Sequence, residues 1–153
     1  MEAPRELVDA FTEAVPFALR EMAGVEAVVR DSRPATGAEG ADVSAVVRLA
    51  AAGGESRLVL CFPGPTAEAL ARRVFAGTMA EVSADLVRDC MGEVANVVAG
   101  QAKVLLVGTP AHFTLSTPTV EGGPVDVSGG WVIRFESDVG EFGVRIVPGE
   151  RGA

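Results

Sequence analysis

Two polar residues at helical spacing, Glu93 and Asn96, are the first candidates for chemistry in this sequence. Residues three apart on a helix are surface neighbours, with about 5–6 Å between their Cβ atoms. Asp89 lies one turn earlier on the same line. A carboxylate accepts hydrogen bonds and pairs with cations, whereas a neutral amide both donates and accepts. A Glu-x-x-Asn pair on a solvated helix usually serves only solubility, so this spacing alone assigns no reaction.

The residues around this pair are unusually small for a helix interior. Gly92 and Gly100 each cost up to about 1 kcal/mol relative to alanine. With Ala95 and Ala99 they remove bulk from around Asn96, itself a poor mid-helix residue because its amide competes for backbone hydrogen bonds. This composition indicates that something approaches the helix closely here, although internal glycines also occur where helices pack together.

Other reactive residues are few. Cys61 lies in an apolar run and Cys90 on an apolar helix face, which predicts two buried free thiols. His112 is the only histidine in the 153 residues. We therefore expect neither a metal site nor a cofactor, and no Cys/His pair of catalytic spacing.

Charge and hydropathy narrow the range of partners. The net charge of −8 disfavours nucleic acid and anionic membrane surfaces, because both are themselves negative. No apolar run approaches the roughly 20 residues that cross a bilayer. The N-terminal residues also lack the basic start and apolar block of a signal peptide. We expect a cytoplasmic protein.

One long helix must position the candidate residues. Ser83 is the predicted N-cap, and Asp85 suits the first turn because its charge complements the helix dipole. The helix is predicted to run to about Leu106, before Gly108 and Pro110. Projection at about 100° per residue gives it two faces. The face predicted to be buried comprises Leu86, Cys90, Val94, Val97, Val98 and Leu105, and the polar face comprises Asp85, Asp89, Glu93, Asn96, Gly100 and Lys103.

The other predicted elements are segregated along the chain, with a helix, strands, two helices and then strands. This order favours an α+β fold, with an antiparallel sheet packed against helices, over a doubly wound parallel sheet. No linker interrupts the chain, so residues 1–153 are expected to form a single domain. The remaining predicted elements are helices 5–22 and 66–75 (capped by Thr66), strands 25–30, 43–49, 57–62, 113–116, 131–136 and 142–147, and loops at 32–42 and around 118–124.

A longer string around the candidate pair carries a family resemblance. Residues 89–103, with the sequence DCMGEVANVVAGQAK, resemble the central helix of the CheC/CheX/FliY family of chemotaxis phosphatases. That family's pattern is an Asp or Ser, a Glu four residues later, an Asn three residues after that, and a more distant proline. Asp89, Glu93 and Asn96 match this pattern, and Pro118 fits the proline. The order of elements is similar over most of the chain. Only one Glu-x-x-Asn site is present, as in the CheX type.

The resemblance implies a phosphatase that hydrolyses the aspartyl phosphate of a CheY-like response regulator. It implies that Asn96 orients the attacking water and that Glu93 pairs with a lysine of the partner. Asp89 would support this face, and Gly92 and Gly100 would give the partner clearance. The regulator would bring its own Mg²⁺. Relatives of the CheX type pair through sheet edges, which implies a homodimer.

Two other functions are open at this point. A non-catalytic CheX-like module would bind a response regulator or another signalling protein without turnover. An unrelated small-molecule binding domain would need an apolar pocket, which an aromatic content of 5% with no tyrosine makes less attractive.

Overall fold

The structure is a computed structural model that describes residues 5–35, 40–78, 81–125 and 129–149. It contains three helices and a seven-stranded antiparallel sheet, as the α+β prediction requires. The strand order is β1-β6-β7-β3-β2-β4, and β5 also pairs with β2. The elements are α1 (Arg5–Ala23), β1 (Ala27–Pro34), β2 (Val43–Ala51), β3 (Gly54–Phe62), α2 (Gly64–Val74), α3 (Ala84–Leu105), β4 (Phe113–Leu115), β5 (Thr119–Gly122), β6 (Trp131–Ser137) and β7 (Gly140–Pro148).

The helix α3 forms where the sequence predicts it. The hydroxyl of Ser83 accepts a hydrogen bond from the backbone N–H of Leu86 at 3.2 Å, which confirms the predicted N-cap. Its buried face differs from the projection, because Val97 and Leu105 are each 37% exposed. The buried residues are Cys90, Met91, Val94, Ala95, Val98, Ala99 and Ala102. Small alanines on this face allow neighbouring elements of the same core, including α1, to pack closely.

Both loop predictions are wrong in part, because strands occupy some of the residues. β1 continues to Pro34, through residues predicted as a loop, because it pairs with β6 across an irregularity between Val29 and Asp31. The other part of that predicted loop, residues 36–39, lies outside the described residues. β5 replaces part of the second predicted loop and pairs with residues 43–46 of β2. The strand is short and lies beside a proline and two glycines, and these residues indicate a loop rather than a strand.

The prediction that Thr66 caps the second helix is also wrong. The helix begins at Gly64, with Pro63 at the N-cap position and no side-chain cap. Thr66 is buried inside the first turn, and its hydroxyl donates a hydrogen bond to the backbone oxygen of Glu141 at 2.9 Å. The hydroxyl therefore ties α2 to β7.

The two faces of the sheet differ in their cover. One face and the three helices form the main core, whereas the opposite face carries a small cluster of Val59, Cys61 and Val147. Cys61 and Cys90 are both buried and free, as predicted. Arg145 is buried on the same face as that small cluster, with 1% of its surface exposed. None of the helices that the structure describes is long and apolar enough to span a membrane.

Candidate functional site

A groove of about 860 Å³ lies between α3 and the chain that joins β4 to β5. Glu93 and Asn96 line its α3 side, and both are exposed. Asp89 lies in the same groove. The facing wall consists of Leu115, Ser116, Thr117, Pro118 and Val120.

Pairing with β2 shapes this wall. β4 pairs with residues 49–51 of β2 and β5 with residues 43–46, so residues 116–118 cross the gap between the two pairings. The Ser116 hydroxyl accepts a hydrogen bond from the backbone N–H of Arg48 at 2.9 Å, and the Ser116 N–H donates to the Arg48 oxygen at 3.0 Å. These two bonds fix the corner that presents Thr117 and Pro118 to the groove.

The two predicted glycines have different surroundings. A Cβ at Gly92 would lie 3.3 Å from Cγ2 of Val120, which is tighter than ordinary van der Waals contact. Gly92 therefore allows α3 to approach β5. A Cβ at Gly100 would meet no atom within 4 Å, and Gly100 does not line the groove. The space beside Gly100 is open. Ala95 and Ala99 are fully buried in the core and do not contribute to the surface around Asn96.

Glu93 and Asn96 are free to bind a partner. Within the described chain, neither side chain makes a hydrogen bond or an ion pair, and the same holds for Asp89. The nearby Cys90 thiol has a pKa raised from 9.0 to about 11, first by burial and second by the negative charge of Glu93. The groove thus presents carboxylates beside one neutral amide.

Sequence reasoning missed several residues of the groove. Arg88 lies in it, and its position four residues before Gly92 and eight before Asn96 could have revealed this, because such residues share one side of a helix. Ser116, Thr117 and Val120 join the groove only through strand pairing. Pro118, which the sequence resemblance matches to the family's proline, also lines the groove.

The arrangement suits recognition of another molecule's reactive group. The open groove offers carboxylates to pair with a cation and an amide to hold water, while no histidine or cysteine lines it. No group of three or more His, Cys, Asp or Glu side chains in residues 5–35, 40–78, 81–125 and 129–149 could hold a metal ion.

The chain thus combines an α+β fold with a carboxylate–amide pair on its long helix, opposite a Ser-Thr-Pro corner. Residues 43–128, more than half of the chain, match the family model described as chemotaxis phosphatase CheX. The chain belongs to this family. No curated protein matches it.

Solved structures agree with this assignment. A chemotaxis protein CheX from Desulfovibrio desulfuricans is 25% identical, with a TM-score of 0.82 over 94% of this chain and 99% of that one. Chemotaxis protein CheX from Vibrio vulnificus is 22% identical, with a TM-score of 0.81 over 93% and 98%. A chain in the CheX–CheY–BeF₃–Mg²⁺ complex from Borrelia burgdorferi is 19% identical, with a TM-score of 0.66 over 92% and 96%. The last two likenesses concern the fold alone.

Proposed function

We propose that this chain hydrolyses the aspartyl phosphate of a CheY-like response regulator. The observation that carries the proposal is the exposure of Glu93 and Asn96, side by side in one groove and without partners of their own in the described chain. The family description supports phosphatase activity. The similar fold of the CheX–CheY–BeF₃–Mg²⁺ complex from Borrelia burgdorferi supports the choice of partner.

Asn96 is the proposed catalytic residue. Its amide would accept a hydrogen bond from a water molecule and aim the water oxygen at phosphorus. The P–O bond to the aspartyl carboxylate breaks as the new P–O bond forms, which yields inorganic phosphate and the free aspartate. An acyl phosphate is already reactive, so positioning and charge stabilisation suffice. A neutral amide fits this role because a carboxylate would repel the phosphoryl oxygens.

Glu93 is the proposed docking residue. Its carboxylate would pair with a lysine of the regulator and so fix where Asn96 meets the phosphoryl group. Asp89, one turn earlier, adds negative charge to the same face. The partner would supply Mg²⁺. Gly100 leaves open space for the partner beside Asn96, whereas the missing Cβ of Gly92 serves contact with Val120.

The test uses CheY-like regulators from the same organism, phosphorylated with acetyl phosphate and then freed of the donor. Release of inorganic phosphate is followed with and without this protein. We expect the wild type to accelerate release and Asn96→Ala to abolish the acceleration. Asn96→Ala should still bind the regulator loaded with BeF₃⁻ and Mg²⁺, whereas Glu93→Gln should bind it more weakly.

The same experiment separates catalysis from binding alone. Equal acceleration by wild type and Asn96→Ala would show that Asn96 has been assigned the wrong role. Binding of the BeF₃⁻-loaded regulator without any acceleration would favour the non-catalytic module. No binding and no acceleration with any regulator would reject both functions.

We also propose a cytoplasmic homodimer. β1 is an edge strand, and its Val28 and Val29 are 64% and 40% exposed, so one edge of the sheet carries uncovered apolar side chains. Pairing of two β1 edges would satisfy their free backbone groups and place a partner strand beside both valines. Sedimentation equilibrium tests this, with Val28→Lys expected to shift the protein to monomers. A wild type that sediments as a monomer at high concentration would disprove it.

A further inference from the structure

Arg88 stands at one end of the groove, against the end of β5. Its side chain is exposed, and its Nη2 atom lies only 2.9 Å from the place that a Cβ of Gly122 would occupy. The absence of a side chain at Gly122 therefore makes room for the guanidinium group.

Arg88 also differs from most arginines of the described chain in having no acidic partner. Arg72 pairs with Glu68 at 2.7 Å and Arg73 with Asp138 at 2.9 Å, for example. An unpaired guanidinium in a protein of net charge −8 retains its five donors for another molecule.

Position along α3 separates Arg88 from the proposed reaction centre. At a rise of about 1.5 Å per residue, its backbone lies about 7.5 Å from that of Glu93 and about 12 Å from that of Asn96 along the helix axis. The guanidinium group lies against Gly122 at the end of β5, whereas Glu93 lies further along α3 in the same groove. Arg88 therefore suits a second contact beside the reacting group.

We propose that Arg88 is a specificity-determining residue that binds a carboxylate on the partner's surface. This inference rests on the proposed function. It adds an acidic side chain of the regulator, which would lie about 7.5 Å along α3 from the lysine that Glu93 binds. Along α3 the groove then presents the cation Arg88, the two carboxylates Asp89 and Glu93, and the neutral amide of Asn96. Only a regulator with the complementary order of acid, lysine and phosphoryl group fits all three.

The experiment measures binding of the BeF₃⁻- and Mg²⁺-loaded regulator to wild type, Arg88→Glu, Arg88→Lys and Gly122→Ala over a range of salt concentrations. Arg88→Glu should raise Kd by about tenfold or more and flatten its salt dependence. Gly122→Ala adds no charge but pushes the guanidinium aside, so a smaller rise in Kd is expected. Arg88→Lys should restore part of the affinity.

Arg57→Glu provides the matched control. Arg57 also has no acidic partner in the described chain, but its side chain lies on the sheet face opposite the helices, so the same change in net charge falls on the other side of the sheet from α3. Its Kd should stay at the wild-type value. A Kd and salt dependence in Arg88→Glu that match those of Arg57→Glu would overturn this inference alone. Failure of the wild type to bind any regulator would overturn the proposed function and this inference together.

Discussion

Gly92 of α3 and Val120 of β5 approach so closely that a methyl group on Gly92 would lie 3.3 Å from Cγ2 of Val120. Both residues line the groove, one on each side of it. Their contact therefore sets the distance between the helix that carries Glu93 and Asn96 and the wall that carries Pro118.

This contact predicts different effects for the same substitution at two glycines. Gly100→Ala should raise the free energy of unfolding by up to about 1 kcal/mol, because alanine favours the helix and meets no neighbour. Gly92→Ala should gain less, because the Val120 side chain must move. Urea unfolding of both variants measures the difference. Equal stabilisation would mean that Val120 does not restrain the helix.

Gly100→Ala also tests the proposed clearance for the partner. Gly100 follows Asn96 by one turn, so a new methyl group would occupy space next to the reaction centre. We expect a severalfold higher KM for phosphorylated regulator in spite of the higher stability. An unchanged KM would indicate that the partner does not use this space.

The central helix and its polar pair were predictable because their signals are local. Ser83 caps the helix, the apolar residues repeat at helical spacing, and Glu93 and Asn96 are exposed as the polar face requires. The details of the buried face were less predictable. Val97 is apolar and was predicted to be buried, but it is exposed. Ala95 and Ala99 are buried instead, because small residues permit close packing.

The facing wall of the groove was not predictable from local signals. β5 is only four residues long and exists because β2 offers it a pairing partner 73 or more residues earlier in the chain, as in the pair Val46 and Thr119. Helical spacing places Arg88 on the same side of α3 as Gly92 and Asn96, but it does not reveal what Arg88 faces. Its significance depends on Gly122, which strand pairing brings to the side of the helix.

Replacing the amide by a carboxylate should be as harmful as removing it. Asn96→Asp keeps the size of the side chain but places a negative charge beside the phosphoryl oxygens, and it loses the donor of the amide. We expect phosphate release to fall by about a hundredfold or more in both Asn96→Asp and Asn96→Ala. Single-turnover kinetics measure the rate, and thermal unfolding should show little change because Asn96 is exposed. Retained activity in Asn96→Asp would contradict the water-orienting role of the amide.

Arg145 should matter for stability rather than for the reaction. It is buried on the sheet face opposite the helices, and its Nε and Nη2 atoms donate to the Gly129 oxygen at 3.1 and 2.8 Å. Arg145→Ala should cost about 2–4 kcal/mol of unfolding free energy, because it removes charged hydrogen bonds and buried packing. Arg48→Ala, an exposed change on β2, two strands away from β7, should cost about 0.5 kcal/mol or less. Similar losses in the two variants would show that the buried contacts contribute little.

Cys90 should make the stability depend on pH in the alkaline range. Burial, and to a smaller extent Glu93, raises its pKa from 9.0 to about 11. The folded state therefore holds the thiol proton more tightly than the unfolded state does. The resulting stabilisation is fully present below pH 9 and is lost as the pH rises toward 11. A shift of this size corresponds to roughly 3 kcal/mol at most.

Comparison with Cys90→Ala isolates this effect from the titration of other groups. The difference in unfolding free energy between wild type and Cys90→Ala should be constant from pH 7 to about 8.5 and should shrink at higher pH. Because Glu93 is the second cause of the raised pKa, Glu93→Gln should weaken the alkaline loss. A difference that stays constant up to pH 11 would show that the thiol is not held protonated by burial. An alkaline loss unaffected by Glu93→Gln would mean that the Glu93 charge, exposed to water in the groove, is screened from the core beneath it.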